Sequence, residues 1–254
     1  MTALRVAFLG GNGHCAARVA VAGEALARRG IRLDDAAYPG FDGRPAAPDF
    51  EAFLEAIRAG VSDAPLVYAT GIGGLLALCL RARGALRDRR LLLQAPVLWG
   101  LEHRRMPRLM RFAAARRAAL WIFATPLFQA AFARRYFCRP LAAAERREFF
   151  AGYRRCPSFG ALFAWLGPPL LRRLESSFAA DPTGLTDVEV WWGGRDRVVG
   201  LDELRYAEAA LGIRWPLQQF PDWGHYPMID VPEVWADAIE RRVRGLGGRE
   251  PPAR

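Results

Sequence analysis

His225 and Asp196 are the residues whose types and settings can move protons. Asp196 lies in Trp192-Gly193-Gly194-Arg195-Asp196-Arg197-Val198-Val199, a turn directly after the strand-like run Val188 to Trp192. His225 lies in Pro221-Asp222-Trp223-Gly224-His225-Tyr226-Pro227, a turn between a run around Pro216 to Phe220 and a closing helix. A carboxylate bonded to one imidazole nitrogen fixes the tautomer and stabilises the imidazolium, leaving the other nitrogen free to take and return a proton. Taken singly, Asp196 is a turn residue or helix cap and His225 a solvated loop group. Successive turns after strands make them a candidate orienter and acid/base.

A third turn has the same setting. Leu66-Val67-Tyr68-Ala69-Thr70-Gly71-Ile72-Gly73-Gly74 runs from a short apolar strand into a helix through Gly71, with the small residues Ala69 and Gly73 on either side. This strand-turn-helix context exposes a reactive side chain when the tip carries one. Here the tip carries none. Thr70 has a hydroxyl but lies on the strand side, with Tyr68 and Ile72 where small residues would be needed.

Three such turns must be held at one edge of a common sheet. Strand and helix signals alternate at Arg5 to Gly10 and Ala16 to Arg29, at Ile31 to Ala37, and at Leu66 to Thr70 and Ile72 to Arg83. This alternation predicts a parallel sheet flanked by helices. Leu91 to Leu98 is nearly all apolar and reads as a strand buried on both faces, and Val231 to Arg242 as the closing helix. From Gly100 to about Pro182 the pattern becomes long helical stretches rich in Arg, Ala and aromatics. An insertion of that kind is expected to cap the C-terminal sheet edge, where open α/β sheets bind ligands. Residues 1–100 and 183–245 are therefore expected to form the core, 101–182 a helical cap, and 246–254 a disordered tail.

The motifs together resemble the α/β-hydrolase superfamily over nearly the whole chain. Gly10-Gly11-Asn12 resembles its H-G-x oxyanion loop, Tyr38-Pro39-Gly40-Phe41-Asp42-Gly43 its P-G-x-G-x-S turn, and Gly193-Gly194-Arg195-Asp196 its G-x-x-D acid loop; the order elbow, acid, histidine is also the family's. The resemblance implies an α/β-hydrolase fold, backbone N–H groups of Asn12 and Ile72 as an oxyanion hole, Asp196 as orienter and His225 as acid/base. Two departures stand out: Gly10 replaces a histidine and Gly71 replaces the nucleophile.

The expected substrate is a small, mostly apolar carbonyl compound, because Phe128, Phe132, Tyr136, Phe137, Phe159, Phe163 and Trp165 would give the cap an apolar inner side. His14, Thr70, Trp99, Trp121 and Trp223 are taken as pocket residues. Without a serine acyl-enzyme the chemistry is either a non-hydrolytic lyase, dehydratase, cyclase or isomerase step of secondary metabolism, or hydrolysis by a His225-activated water. An esterase or thioesterase whose serine was mutated, and a non-catalytic hydrolase-like binding protein, are the alternatives.

The net charge of +10 comes from Arg alone, with no Lys, and the Arg are scattered rather than striped; a nucleic-acid footprint is therefore not expected. A basic stretch, His103 to Phe112 with Arg104, Arg105, Arg108 and Arg111, is a solvated helix face or a dock for phosphate, an acyl carrier protein or a coenzyme A thioester. Cys15, Cys79, Cys138 and Cys156 have neither metal-ligand nor disulfide spacing, and no cofactor is expected. No apolar run is long enough to span a membrane, and no signal segment is read before the first strand, so a cytoplasmic, bacterial protein is expected.

Overall fold

The computed structural model describes residues 4–61, 63–154 and 156–246; the tail expected at 246–254 lies, from residue 247, outside the described residues. In chain order the first half contains β1 (Leu4–Leu9), α1 (Ala16–Ala27), β2 (Ile31–Asp35), α2 (Phe50–Gly60), β3 (Leu66–Thr70), α3 (Ile72–Ala82) and β4 (Arg90–Gln94). Six helices follow before the next strand: α4 (Arg105–Met110), α5 (Ala113–Phe123), α6 (Pro126–Tyr136), α7 (Ala143–Arg154), α8 (Ser158–Trp165) and α9 (Pro168–Ala180). The chain then returns through β5 (Val188–Gly193), α10 (Leu201–Leu211), β6 (Leu217–Phe220), α11 (Pro227–Asp230) and α12 (Pro232–Leu246).

All pairings in the six-stranded sheet are parallel, in the order β2-β1-β3-β4-β5-β6. Every residue of β3 and β5 is buried, the pattern of strands covered on both faces by helices. On one side α1, α11 and α12 pack together, and the Trp235 ring of α12 meets Tyr68 of β3 edge-on at 5.4 Å between centroids. On the other side α2 and α9 pack on α3, and α10 on α9. The helix α9 thus joins the layer beside the sheet, whereas α4 to α8 lie over the strand ends.

Winding reverses between β1 and β3: the chain goes from β1 outward to β2, then back across to β3 and on to β4. The C-terminal ends of β1 and β3 therefore border the crevice in which open α/β sheets bind ligands.

The strand expected over Leu91 to Leu98 stops at Gln94. Ala95 turns with φ +40° and Pro96 has no N–H to donate to a ladder, and the chain then forms a short 3-10 helix, Trp99–His103. Two helices not read from the sequence, α2 and α10, complete the flanking layers. The first is capped by Asp49, whose Oδ1 accepts the Ala52 N–H at 2.8 Å.

The junction of β3 and α3 is fixed by backbone. Gly71 has φ +56° and ψ −122°, a conformation open chiefly to glycine. Its carbonyl accepts from Gly74 N at 3.1 Å and Val97 N at 2.9 Å, and its N–H donates to Gln94 O at 3.1 Å. Two residues on, a β-carbon at Gly73 would lie 2.3 Å from the Leu9 carbonyl oxygen. Gly71→Ala should therefore remain folded at a cost of about 1–3 kcal/mol in backbone strain, while Gly73→Ala, which forces β1 and α3 apart, should cost more. Denaturant unfolding of the two variants checks this; equal losses would contradict the packing argument.

Candidate active site

The ends of β1, β3, β5 and β6 deliver one residue set to one cavity of about 170 Å³. From β1 come Gly11 and Asn12, from the β3–α3 turn Gly71 and Ile72, from the loop after β5 Val198, and from the loop after β6 His225 and Tyr226. The overlying helices add Met106, Phe123, Phe132, Tyr136, Tyr153 and Phe159. This roof is aromatic and largely apolar, and Tyr136 and Tyr226 meet the His225 ring edge-on at 5.2 and 4.9 Å.

Asp196 and His225 form a buried pair. His225 Nδ1 is 2.8 Å from Asp196 Oδ2, and their side chains are 5% and 0% exposed. The other carboxylate oxygen accepts the N–H groups of Val198 at 2.7 Å and Val199 at 3.1 Å. Burial pushes the Asp196 carboxyl up, but the His225 ring and these two N–H groups outweigh it and hold the acid below its ordinary range. An ionised carboxylate can only accept, so Nδ1 carries a proton, and in the neutral ring Nε2 then presents its lone pair. The two loops are zipped together by backbone: Gly194 N donates to Phe220 O at 2.8 Å and Arg195 N to Trp223 O at 2.9 Å.

The free Nε2 faces Gly71. A β-carbon on Gly71 would lie 3.8 Å from His225 Nε2 and 3.9 Å from Gly11 Cα, ordinary van der Waals distances with nothing nearer outside its chain neighbours. Beside it Ile72, the first residue of α3, has an N–H without an intrahelical acceptor. Asn12 is anchored from both sides: its Nδ2 donates to Phe159 O at 3.0 Å, its Oδ1 accepts from Gly13 N at 2.9 Å, and its carbonyl accepts from Arg18 Nη1 at 3.3 Å. Among the described residues the cavity lining contains no Ser, Thr, Cys, Asp, Glu or Lys. Burial pushes the hydroxyls of Tyr136, Tyr153 and Tyr226 up, so they are proton-bearing donors at neutral pH rather than bases.

A sequence model of the alpha/beta hydrolase family matches residues 6–238. The chain belongs to that family. The solved structures similar to this α/β-hydrolase include a membrane phospholipase A described as a novel bacterial virulence factor, with a TM-score of 0.66, 19% identity and coverage of 97% of this chain and 80% of that one. An esterase from Exiguobacterium antarcticum superposes with a TM-score of 0.64 at 15% identity, covering 95% and 92%. A haloalkane dehalogenase loop variant from Bradyrhizobium elkanii gives 0.62 at 21% identity, covering 97% and 90%. At these identities the likeness is one of fold. No curated protein sequence matches the chain.

The sequence reading and the structure part company over the pocket residues. His14 lies outside the cavity: its Nε2 bonds Asp35 Oδ1 at 2.6 Å, and its ring fills the space that a side chain at Gly10 would need, with Nδ1 2.3 Å from such a β-carbon. The His14 ring thus excludes a side chain at position 10. Thr70 points to a separate recess of about 10 Å³ shared with Arg18 and His14, and its hydroxyl has no hydrogen-bond partner. The expectation that Trp99, Trp121 and Trp223 line the pocket is corrected. Trp99 is 1% exposed in the core, Trp223 stacks on Phe220 at 3.6 Å, and Trp121 is 80% exposed at the end of α5. Tyr153, Tyr226 and Phe123 take the lining role that the tryptophans were expected to have.

Within the basic stretch, Arg104 is held by Glu203 and by the Val198 carbonyl at 3.2 Å. Among the described residues no cluster of three His, Cys, Asp or Glu could hold a metal, and no helix is long and apolar enough to cross a membrane.

Because the folded Asp196 carboxyl titrates below its unfolded value of about 3.9, its contribution to stability is complete above that value and is lost as pH falls through the folded one. The thermal midpoint of wild type relative to Asp196→Asn should hence be highest and flat above about pH 5 and converge below about pH 4. A difference independent of pH between 3 and 7 would contradict an ionised Asp196 in the pair.

Proposed function

We propose that this α/β-hydrolase-family protein is an enzyme that uses His225, oriented by Asp196, as acid/base on a mostly apolar carbonyl compound, with no serine acyl-enzyme. The observation that carries the reading is the cavity lining: among the described residues, a buried imidazole with a free Nε2 meets no nucleophilic side chain in the space where Gly71 stands. A purely binding protein has no evident use for an imidazole whose tautomer is fixed by a buried carboxylate.

In this reading the substrate carbonyl oxygen accepts from the Asn12 and Ile72 N–H groups, which stabilise the charge that develops on it. His225 Nε2 removes a proton from the carbon next to the carbonyl, and the resulting imidazolium is stabilised by Asp196. The proton then passes to a leaving hydroxyl, giving elimination, to another carbon, giving isomerisation, or to the alkoxide oxygen formed when the carbanion adds to a second carbonyl of the substrate and closes a ring. Such non-hydrolytic steps fit a polyketide-like or acyl-thioester substrate in a secondary pathway, delivered as a coenzyme A or carrier-protein thioester.

Hydrolysis is the second reading, and one distance favours it. The 3.8 Å between Nε2 and the place of a Gly71 β-carbon leaves room for a water that His225 could activate against an ester or thioester carbonyl. The esterase among the structural neighbours supports the same alternative.

Isotope labelling separates the two. Apolar esters, thioesters and β-ketoacyl thioesters are incubated with the protein in D₂O and in H₂¹⁸O. Deuterium entering the α-carbon, without ¹⁸O in a carboxylate product, is the expected result; ¹⁸O incorporation selects the water mechanism. His225→Ala should lower either rate by about 10²- to 10⁴-fold. A covalent acyl adduct on the wild-type chain by mass spectrometry would overturn both.

A further inference from the structure

Behind the wall that α6 and the acid loop give the catalytic cavity lies a second, larger hollow of about 710 Å³. Five arginines line it: Arg134 of α6, Arg139 of the α6–α7 loop, Arg146 of α7, and Arg195 and Arg197 on either side of Asp196. Among the described residues no carboxylate lines it. Arg139 is paired with Glu145 and Arg195 with Asp222. Arg134, Arg146 and Arg197 have no ion pair among the described residues. Three uncompensated cations face one concavity whose floor, Ala133, Phe137 and Leu141, is apolar.

We infer that this groove binds the phosphate end of a ligand, a pyrophosphate or phosphate ester. Guanidinium groups present forked donors that match phosphate oxygens two at a time. A cluster of several mutually repelling cations on one hollow is most simply held by an anion of more than one charge. The volume lies within the range of small-ligand sites rather than that of an extended nucleic-acid track. The same walls serve both hollows: Ala133 and Phe137 face the groove while Phe132 and Tyr136 face the catalytic cavity, and Arg197 borders the groove while its neighbour Val198 borders the cavity. A phosphate handle seated in the groove would thus lie one helix away from His225. This last connection rests on the acid/base reading of the cavity; the phosphate site itself does not.

Cys138 provides the reporter. It is exposed and lines the groove, whereas Cys15, Cys79 and Cys156 are buried, so a maleimide applied to the native protein reads out Cys138. Inorganic pyrophosphate should slow this alkylation at low salt, and calorimetry should give its affinity. Acetyl-coenzyme A should also protect, whereas acetyl-pantetheine, which lacks phosphate, should not. Tighter binding of acetyl-coenzyme A than of pyrophosphate assigns a coenzyme-borne handle, and equal binding assigns a free phosphate ligand.

The triple variant Arg134→Gln, Arg146→Gln and Arg197→Gln should weaken pyrophosphate by at least about tenfold, the effect of losing one charge-assisted hydrogen bond. Removal of three other arginines, Arg105, Arg108 and Arg117, should leave it unchanged. His225→Ala should also bind pyrophosphate normally, which separates failure of the catalytic reading from failure of this one. No protection of Cys138 by any phosphate compound, or equal weakening by both triple variants, would overturn the groove as a phosphate site.

Discussion

The site depends on one close approach, that of the first turn of α3 to the end of β1. Gly73 has no side chain, and a β-carbon there would sit within 2.3 Å of the Leu9 carbonyl and 2.7 Å of that of Gly10. Only this contact lets the Ile72 backbone and the Gly11-Asn12 backbone border the same small cavity. The parallel sheet supplies the rest, since β1 and β3 are neighbours at the point where the winding reverses and their ends open on one crevice. Glycine takes the Gly71 turn without strain, and three backbone hydrogen bonds fix it from both sides.

Around that contact the charges are arranged economically. A fully buried carboxylate with three hydrogen-bond donors stays ionised and orients one imidazole. The roof is tied to the floor by side chains that reach backbone carbonyls: Asn12 to Phe159 of α8, and Arg18 to Phe149 of α7 at 2.8 Å. The Arg18 guanidinium also lies over the Phe149 and Tyr153 rings at 3.9 and 4.4 Å. One buried cation thereby joins α1, the loop after β1 and the helix that carries Tyr153 into the cavity.

What the sequence makes legible is what is local. Gly71, Asp196 and His225 each sit in a turn directly after a strand, so their convergence follows once the sheet is parallel and its order known. Apolar runs mark β3 and β5, and a helical spacing of apolar residues marks the closing helix, for the same reason. Residues of the helical insertion are less legible, because which face of a short helix turns inward is decided by its neighbours. Trp121 and Phe123 are two residues apart on α5, yet the first is exposed and the second lines the cavity. Similarly, nothing local marks His14 as the ring that fills the space above Gly10, nor Arg134 and Arg197 as neighbours across a groove. The end of β4 was legible in principle, since Pro96 forbids a continued ladder, but the apolar run through Leu98 masks it.

In the proposed enzyme, backbone donors, histidine and acid are already arranged around a turn that lacks only a side chain. Gly71→Ser tests this arrangement most directly, by crystal structure and by reaction with a fluorophosphonate probe. The expected result is a serine hydroxyl within about 3 Å of His225 Nε2, covalent labelling at position 71, and new ester hydrolysis absent from the wild type. An ordered serine at that place with neither labelling nor esterase activity would contradict it.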